Sequence, residues 1–208
     1  GVVGLGAGTL AAYASPDQAW VFYEIDPAIA RIARDRRYFT FLGDCAPQAR
    51  VALGDARRTL LHAPAAHYDL LVLDALSAEP IPLHLLTREA LALYLSRLAP
   101  GGILAFHLVH QEPDLEPLLA GLAQEADLAA RVQLDSESAS RWIVMARREA
   151  ALGVLAQDPR WRPLQGRPGL RLWTDDHAGW LPGHGLRNRP ASGFQGCGAG
   201  AVCRAAAP

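Results

Sequence analysis

The feature that most constrains this chain is its opening, Val2-Val3-Gly4-Leu5-Gly6-Ala7-Gly8-Thr9, in which a short apolar strand runs into alternating glycines and then into a helical segment. Glycine adopts positive φ without a steric cost and lets backbone approach a neighbour or a ligand closely. A strand that ends in such a turn before a helix is the first half of a βαβ unit. The remaining chain must then supply parallel partner strands and the helices that cover both faces of the sheet.

It does so by pattern. Short runs rich in Val, Ile, Leu and aromatics alternate with longer segments of helical period. Strands are predicted near 1–5, 20–24, 49–53, 68–74, 101–108, 129–135 and 141–147, with helices near 9–15, 27–36, 55–62, 87–98, 112–127 and 149–156. Pro27 and Pro113 suit first helical turns, and Thr87 suits an N-cap two residues before Glu89. The last two strands are joined by a segment too short for a crossover helix, so they are expected to pair antiparallel. The expected fold is α/β, with a seven-stranded, mostly parallel sheet containing one antiparallel strand. From residue 182 the composition turns to Gly, Ala, Pro and Arg, with too little apolar surface to offset the entropy of ordering. Residues 1–181 are therefore expected to form one domain and 182–208 a disordered tail.

Composition narrows the function classes. The 208 residues are 50% hydrophobic and 20% charged, which suits one globular α/β domain with a sizeable core. Neither a membrane-length apolar run of roughly 18 residues nor a signal-peptide pattern is visible. Twenty basic against 21 acidic residues give a formal net charge of −1, which argues against nucleic acid as a partner. All the basic residues are arginine, which excludes a lysine Schiff base, a lysine general base and a Walker-type phosphate loop. The chain opens without an initiator methionine, so an N-terminal part is expected to be missing. Cys45, Cys197 and Cys203 are too few and too scattered for a disulfide framework or a four-ligand zinc site. A reducing, cytoplasmic setting is the simplest expectation.

Three acids stand where chemistry is expected. Glu24 follows Gly4 by twenty positions and ends the second strand, in Trp20-Val21-Phe22-Tyr23-Glu24, where a carboxylate can accept from both hydroxyls of a ribose. The spacing Gly-x-Gly-x-Gly differs from the dinucleotide pattern, so an adenosine without a pyrophosphate fits better than NAD. Asp55, in Leu53-Gly54-Asp55-Ala56-Arg57, follows the third strand, where it can accept from an adenine amino group, cap the next helix, or do both. Asp74 ends the fourth strand, in Tyr68-Asp69-Leu70-Leu71-Val72-Leu73-Asp74. At that edge a carboxylate can hold an amine nucleophile and accept its proton.

Gly-Leu-Gly-Ala-Gly-Thr, Tyr-Glu-Ile-Asp-Pro, Gly-Asp-Ala-Arg, Leu-Asp-Ala-Leu-Ser-Ala-Glu-Pro-Ile-Pro and Leu-Ala-Pro-Gly-Gly-Ile-Leu, in this order over 1–148, resemble the spermidine synthase family of polyamine aminopropyltransferases. Leu172-Trp173-Thr174-Asp175-Asp176 is similar to a C-terminal stretch of its spermidine-synthase-like branch, often fused to membrane segments. The resemblance implies the Rossmann-like class I methyltransferase fold and aminopropyl transfer to a small amine. The implied donor is decarboxylated S-adenosylmethionine or S-adenosylmethionine itself, without a metal. It further implies that Gly4, Gly6, Gly8, Glu24, Asp55 and Ala56 bind the donor, that Asp74 is catalytic, and that Glu79, Asp175 and Asp176 lie near the acceptor. A homo-oligomer and fusion to a membrane region are compatible with it.

The loop departs from that family at Ala7, a position where the family carries an acid beside the donor's aminopropyl ammonium. Glu79 is the nearest approximation to the second acid of the family's catalytic loop. Two alternatives stay open: a methyltransferase acting on a small acceptor, and a nucleoside-binding domain without turnover. An NAD-linked dehydrogenase fits the glycine spacing less well. His84, His107 and His110 fall on separate elements without metal-ligand spacing and are expected to be ordinary polar or edge residues. Arg31, Arg34, Arg36 and Arg37 are expected to form a solvated face lying over Tyr38 and Phe39.

Overall fold

A computed structural model describes residues 1–75, 82–108, 115–135 and 140–176. The strands are β1 (Val2–Val3), β2 (Val21–Glu24), β3 (Arg50–Leu53), β4 (Tyr68–Leu73), β5 (Leu98–Leu108), β6 (Ala129–Asp135), β7 (Ser140–Ala146) and β8 (Arg162–Pro163). The α-helices are α1 (Pro27–Arg34), α2 (Phe41–Cys45), α3 (Ala56–Leu60), α4 (Arg88–Arg97) and α5 (Leu115–Glu125). Tighter 3₁₀ turns occupy Thr9–Tyr13, Leu83–Leu85 and Glu149–Ala156.

The sheet order is β3-β2-β1-β4-β5-β7-β6-β8. Strands β1 to β5 pair in parallel, whereas β7 is antiparallel to β5 and to β6, as expected. The expected count of seven strands is corrected to eight, because Arg162–Pro163 pairs antiparallel with β6 at the edge. Two residues ending in proline carry no alternating pattern, and proline is tolerated there because an edge needs no second set of donors. The helix α2 was likewise not legible: five residues are too few to display a 3.6 period. The tail expected over 182–208, together with Pro113, His110, Cys197 and Cys203, lies outside the described residues. Cys45 is disulfide-bonded, which corrects the expectation of a reduced thiol there.

Each strand points alternate residues to opposite faces, and two cores result. Val3, Tyr23, Leu71, Leu73, Leu104, Phe106, Ile143 and Met145 face one side, packed with α3, α4 and α5. Val2, Phe22, Val72, Ala105 and Val144 face the other, against α1, α2 and the Glu149–Ala156 turn. The α5 helix buries Leu115, Leu118, Leu119, Leu122 and Ala123, the spacing of a single helical face. Full burial of one such leucine stabilises the fold by roughly 1.5–3 kcal/mol.

Local caps set where the helices begin. Asp26 accepts from Ala28 N–H at 2.7 Å with Pro27 in the first turn, and Thr87 accepts from Ala90 N–H at 3.1 Å. The α1 helix stops at Arg34, short of the expected 36, and the arginines beyond it pair locally. Arg36 bonds Asp44, Arg37 bonds Asp35, and the Arg37 guanidinium lies 5.7 Å from the Tyr38 ring centroid.

Candidate functional site

Strand order reverses between β1 and β4, and in open α/β sheets the cleft at the carboxyl end of such a switch point receives the ligand. The glycine loop leaves β1 there. Gly4, Gly6 and Gly8 have φ of +94°, +53° and +79°, all in the left-handed region. Gly4 has a second reason to be glycine: a Cβ would stand 3.0 Å from the Asp74 carbonyl carbon and 3.1 Å from Ala75 N. At Gly8 it would meet Leu42 Cγ at 3.0 Å. The loop is thus pressed against the end of β4, and Asp74 N–H donates to Val3 carbonyl at 2.8 Å. Ala7, at the centre of the loop, is partly exposed.

Glu24 ends β2 and is 8% exposed. Its carboxylate is held by backbone alone among the described residues: Leu5 N–H donates to Oε2 at 3.0 Å and Asp26 N–H to Oε1 at 2.9 Å. It therefore fastens the glycine loop to β2. A carboxylate has about four lone-pair sites, so two bonds leave capacity for a diol.

Asp55 caps α3, accepting from Arg58 N–H at 3.0 Å, while its other oxygen accepts from His84 Nε2 at 2.8 Å. Burial pushes its carboxyl upward, but the Arg58 N–H and His84 outweigh that and hold it below the usual range. Ala56, the first residue of α3, is buried. Beside this end of the sheet two large apolar side chains are exposed, Ile25 at 68% and Leu53 at 53%. Sequence reasoning passed over both. The available signal was an apolar residue just past Glu24 and another at the solvent-facing end of β3.

Asp74, at the end of β4, accepts from His107 Nδ1 at 2.6 Å. The register pairs Leu73 with Phe106, which brings the next residues of the two parallel strands side by side. The His107 ring is stacked on Trp142 of β7, with centroids 4.4 Å apart and planes 11° from parallel. The sequence marks His107 as an ordinary histidine, because its pairing with an acid 33 positions away has no local signal. Among the described residues, no three His, Cys, Asp or Glu side chains converge as a metal-ligand set.

Asp175 is spoken for. Arg57 grips it with two bonds, of 2.6 and 2.8 Å, and Thr87 Oγ1 donates to it at 2.7 Å. The same Arg57 donates to His84 carbonyl at 3.0 Å, and Arg88 N–H donates to the carbonyl of buried Trp173 at 2.9 Å. Arg57 holds the Asp175 carboxyl below its ordinary range against the opposing effect of burial, with Thr87 adding a smaller lowering. Asp176 is exposed, and Glu79 lies outside the described residues. The C-terminal stretch is thereby clamped over the starts of α3 and α4.

No family model matches the chain. A polyamine aminopropyltransferase of Vibrio vulnificus is 36% identical over 108 residues, covering 50% of this chain and 35% of that protein. The matched stretch therefore spans about a third of the relative's length. Among solved structures, a probable spermidine synthase from Corynebacterium glutamicum superposes with a TM-score of 0.60 at 18% identity, covering 78% of this chain and 65% of that one. A spermidine synthase in complex with the transition-state analogue AdoDATO gives 0.57 at 13% identity, over 71% and 54% of the two chains. Human methyltransferase-like protein 13, in complex with SAH, gives 0.56 at 19% identity, over 76% and 82%. The fold is the Rossmann-like class I methyltransferase fold.

Proposed function

We propose that this domain transfers an aminopropyl group from decarboxylated S-adenosylmethionine to a small amine. The observation that carries the reading is the 36% identity over 108 residues to a polyamine aminopropyltransferase. The convergence of the glycine loop, Glu24 and Asp74 on the β1–β4 switch point supports it.

In this reading the ribose hydroxyls donate to the remaining lone pairs of Glu24, in charge-assisted bonds worth roughly 1.5–3 kcal/mol each. Gly4, Gly6 and Gly8 let the loop backbone come close to the donor, and Ile25 and Leu53 offer apolar surface to the adenine faces. Asp55 and Ala56, at the start of α3, lie along the adenine edge. Asp74 orients the acceptor amine on the far side of the loop. Glu79 and Asp176 are assigned to the acceptor's distal charge, whereas Asp175 acts by holding the C-terminal stretch over the site. The amine lone pair attacks the propyl carbon, the C–S bond breaks, and the sulfonium leaves as a neutral thioether. Rate then comes from alignment and electrostatics, with no step that needs a metal.

Ala7 favours one rival, a methyltransferase using intact S-adenosylmethionine, because no acid at this position repels the donor's carboxylate. Both donors should be incubated with a panel of diamines and the products resolved by mass spectrometry. Methylthioadenosine and an aminopropylated amine are expected from the decarboxylated donor. S-adenosylhomocysteine and a methylated acceptor from the intact donor would replace the first reading with the second.

A further inference from the structure

We propose that His107 is the general base of the reaction and that Asp74 is its orienting partner, an inference that rests on the aminopropyl-transfer reading. Three observations point there. Asp74 Oδ1 accepts from His107 Nδ1 at 2.6 Å, which places the ring proton on Nδ1 and the basic lone pair on Nε2. The ring is held face to face with Trp142, so its plane is fixed from a second direction. The His107 side chain is 21% exposed, enough to meet a substrate while remaining packed.

The chemistry favours imidazole over carboxylate. An acceptor amine arrives as an ammonium ion and must lose one proton before its lone pair can attack. Proton transfer is most effective to a base that is geometrically poised, and the outward Nε2 lone pair of His107 is free to take the proton while Asp74 is engaged on Nδ1. The ammonium gives one proton to His107 Nε2, and the amine lone pair then forms the new C–N bond. The C–S bond breaks with its electron pair going to sulfur, and the product keeps its charge as a secondary ammonium. The imidazolium is stabilised by Asp74 on one edge and by the Trp142 face on the other, until its proton passes to water.

The charged groups around the ring are few among the described residues. Asp74 comes from β4; on β7, Arg141 neighbours Trp142 and is taken up by Glu116 of α5 at 3.4 Å. Glu116 is shared with Arg162 at 2.8 Å, so Arg141 stands beside the ring as a partly compensated cation.

The test compares wild type with His107→Gln and His107→Ala, measuring kcat and KM across pH and donor affinity by calorimetry. The expected result is a fall in kcat of roughly 10²–10⁴ in both variants, with methylthioadenosine affinity unchanged. The wild-type profile is expected to show an acid limb that vanishes in both variants. Glutamine can still donate to Asp74, so a role confined to holding the carboxylate would be rescued by it; full rescue overturns the proposal. An acid limb that persists unchanged in both variants assigns the proton to Asp74 and overturns it as well. If wild type transfers no aminopropyl group, the functional reading itself fails and takes the base with it. If wild type turns over and His107→Gln matches it, only the base assignment fails.

Discussion

The two halves of the sheet's carboxyl edge are built by different means. On the β3–β2–β1 side, the acid Glu24 is answered by the backbone N–H groups of Leu5 and Asp26, and the loop shape is set by glycine φ values. On the β4–β5–β7 side, Asp74 is answered by an imidazole, and that ring by an indole, each from a different strand. The first half is specified by the chain's path and changes little when side chains elsewhere change. The second is specified by side-chain identity, so its chemistry can be altered one residue at a time without moving the backbone.

Breaking the side-chain half gives the largest expected effect. Asp74→Asn keeps the shape but removes the charge and presents the wrong partner to His107. Turnover is expected to fall by roughly 10²–10⁴ while donor affinity changes little. Loss of donor binding in a folded variant, seen by calorimetry, would erase the division between the halves.

Breaking the backbone half acts on binding. Glu24→Ala is expected to weaken methylthioadenosine binding at least about tenfold, and to cost about 1–3 kcal/mol of stability by orphaning the Leu5 and Asp26 N–H groups. Calorimetry and urea melts measure the two effects separately. Unchanged affinity in a folded variant would remove Glu24 from the nucleoside site.

Ala7→Asp sharpens the comparison by placing a charge on the backbone-built half. Preference is expected to shift toward the decarboxylated donor, by roughly 1–3 kcal/mol if the new ion pair is dry. Competition between the two donors reads the shift directly. An unchanged ratio would mean that another residue reads the amine.

The smallest effect lies outside both halves, in the clamp. Asp175 is held below the usual carboxylate range by Arg57, so it stabilises the fold above that range and ceases to as pH falls through its depressed value. The pair is exposed enough for solvent to screen it. Asp175→Asn is therefore expected to cost about 1 kcal/mol at pH 7. Urea melts at pH 7 and at pH 3 should show that difference shrinking in acid; a cost that persists at pH 3 would mean that packing, not charge, holds the stretch.

What was legible in the sequence follows the same division. The glycine loop is announced by its own residue types, and the caps at Asp55 and Thr87 depend on neighbours a few residues away. Glu24's acid and glycine spacing is a property of one βαβ unit. The Asp74–His107 pair depends on the parallel register of β4 and β5, which no local pattern encodes, and His107 on its own resembles any edge histidine. Arg57 carries no local sign of its role for the same reason: its partner is 118 positions away. Asp175 is likewise fastened from afar, by Arg57 and Thr87, 118 and 88 positions away.

That span has a consequence for how the protein is made. A ribosome adding about 5–20 residues per second completes the βα units on a timescale of seconds before Asp175 has left the exit tunnel. Until then Arg57 and Thr87 lack their carboxylate and the pocket for Trp173 stands open among α4 and its neighbours. The nascent domain carries an unsealed apolar seam through the last part of its synthesis, and closure of that seam, a contact of very high sequence separation, belongs to the end of folding.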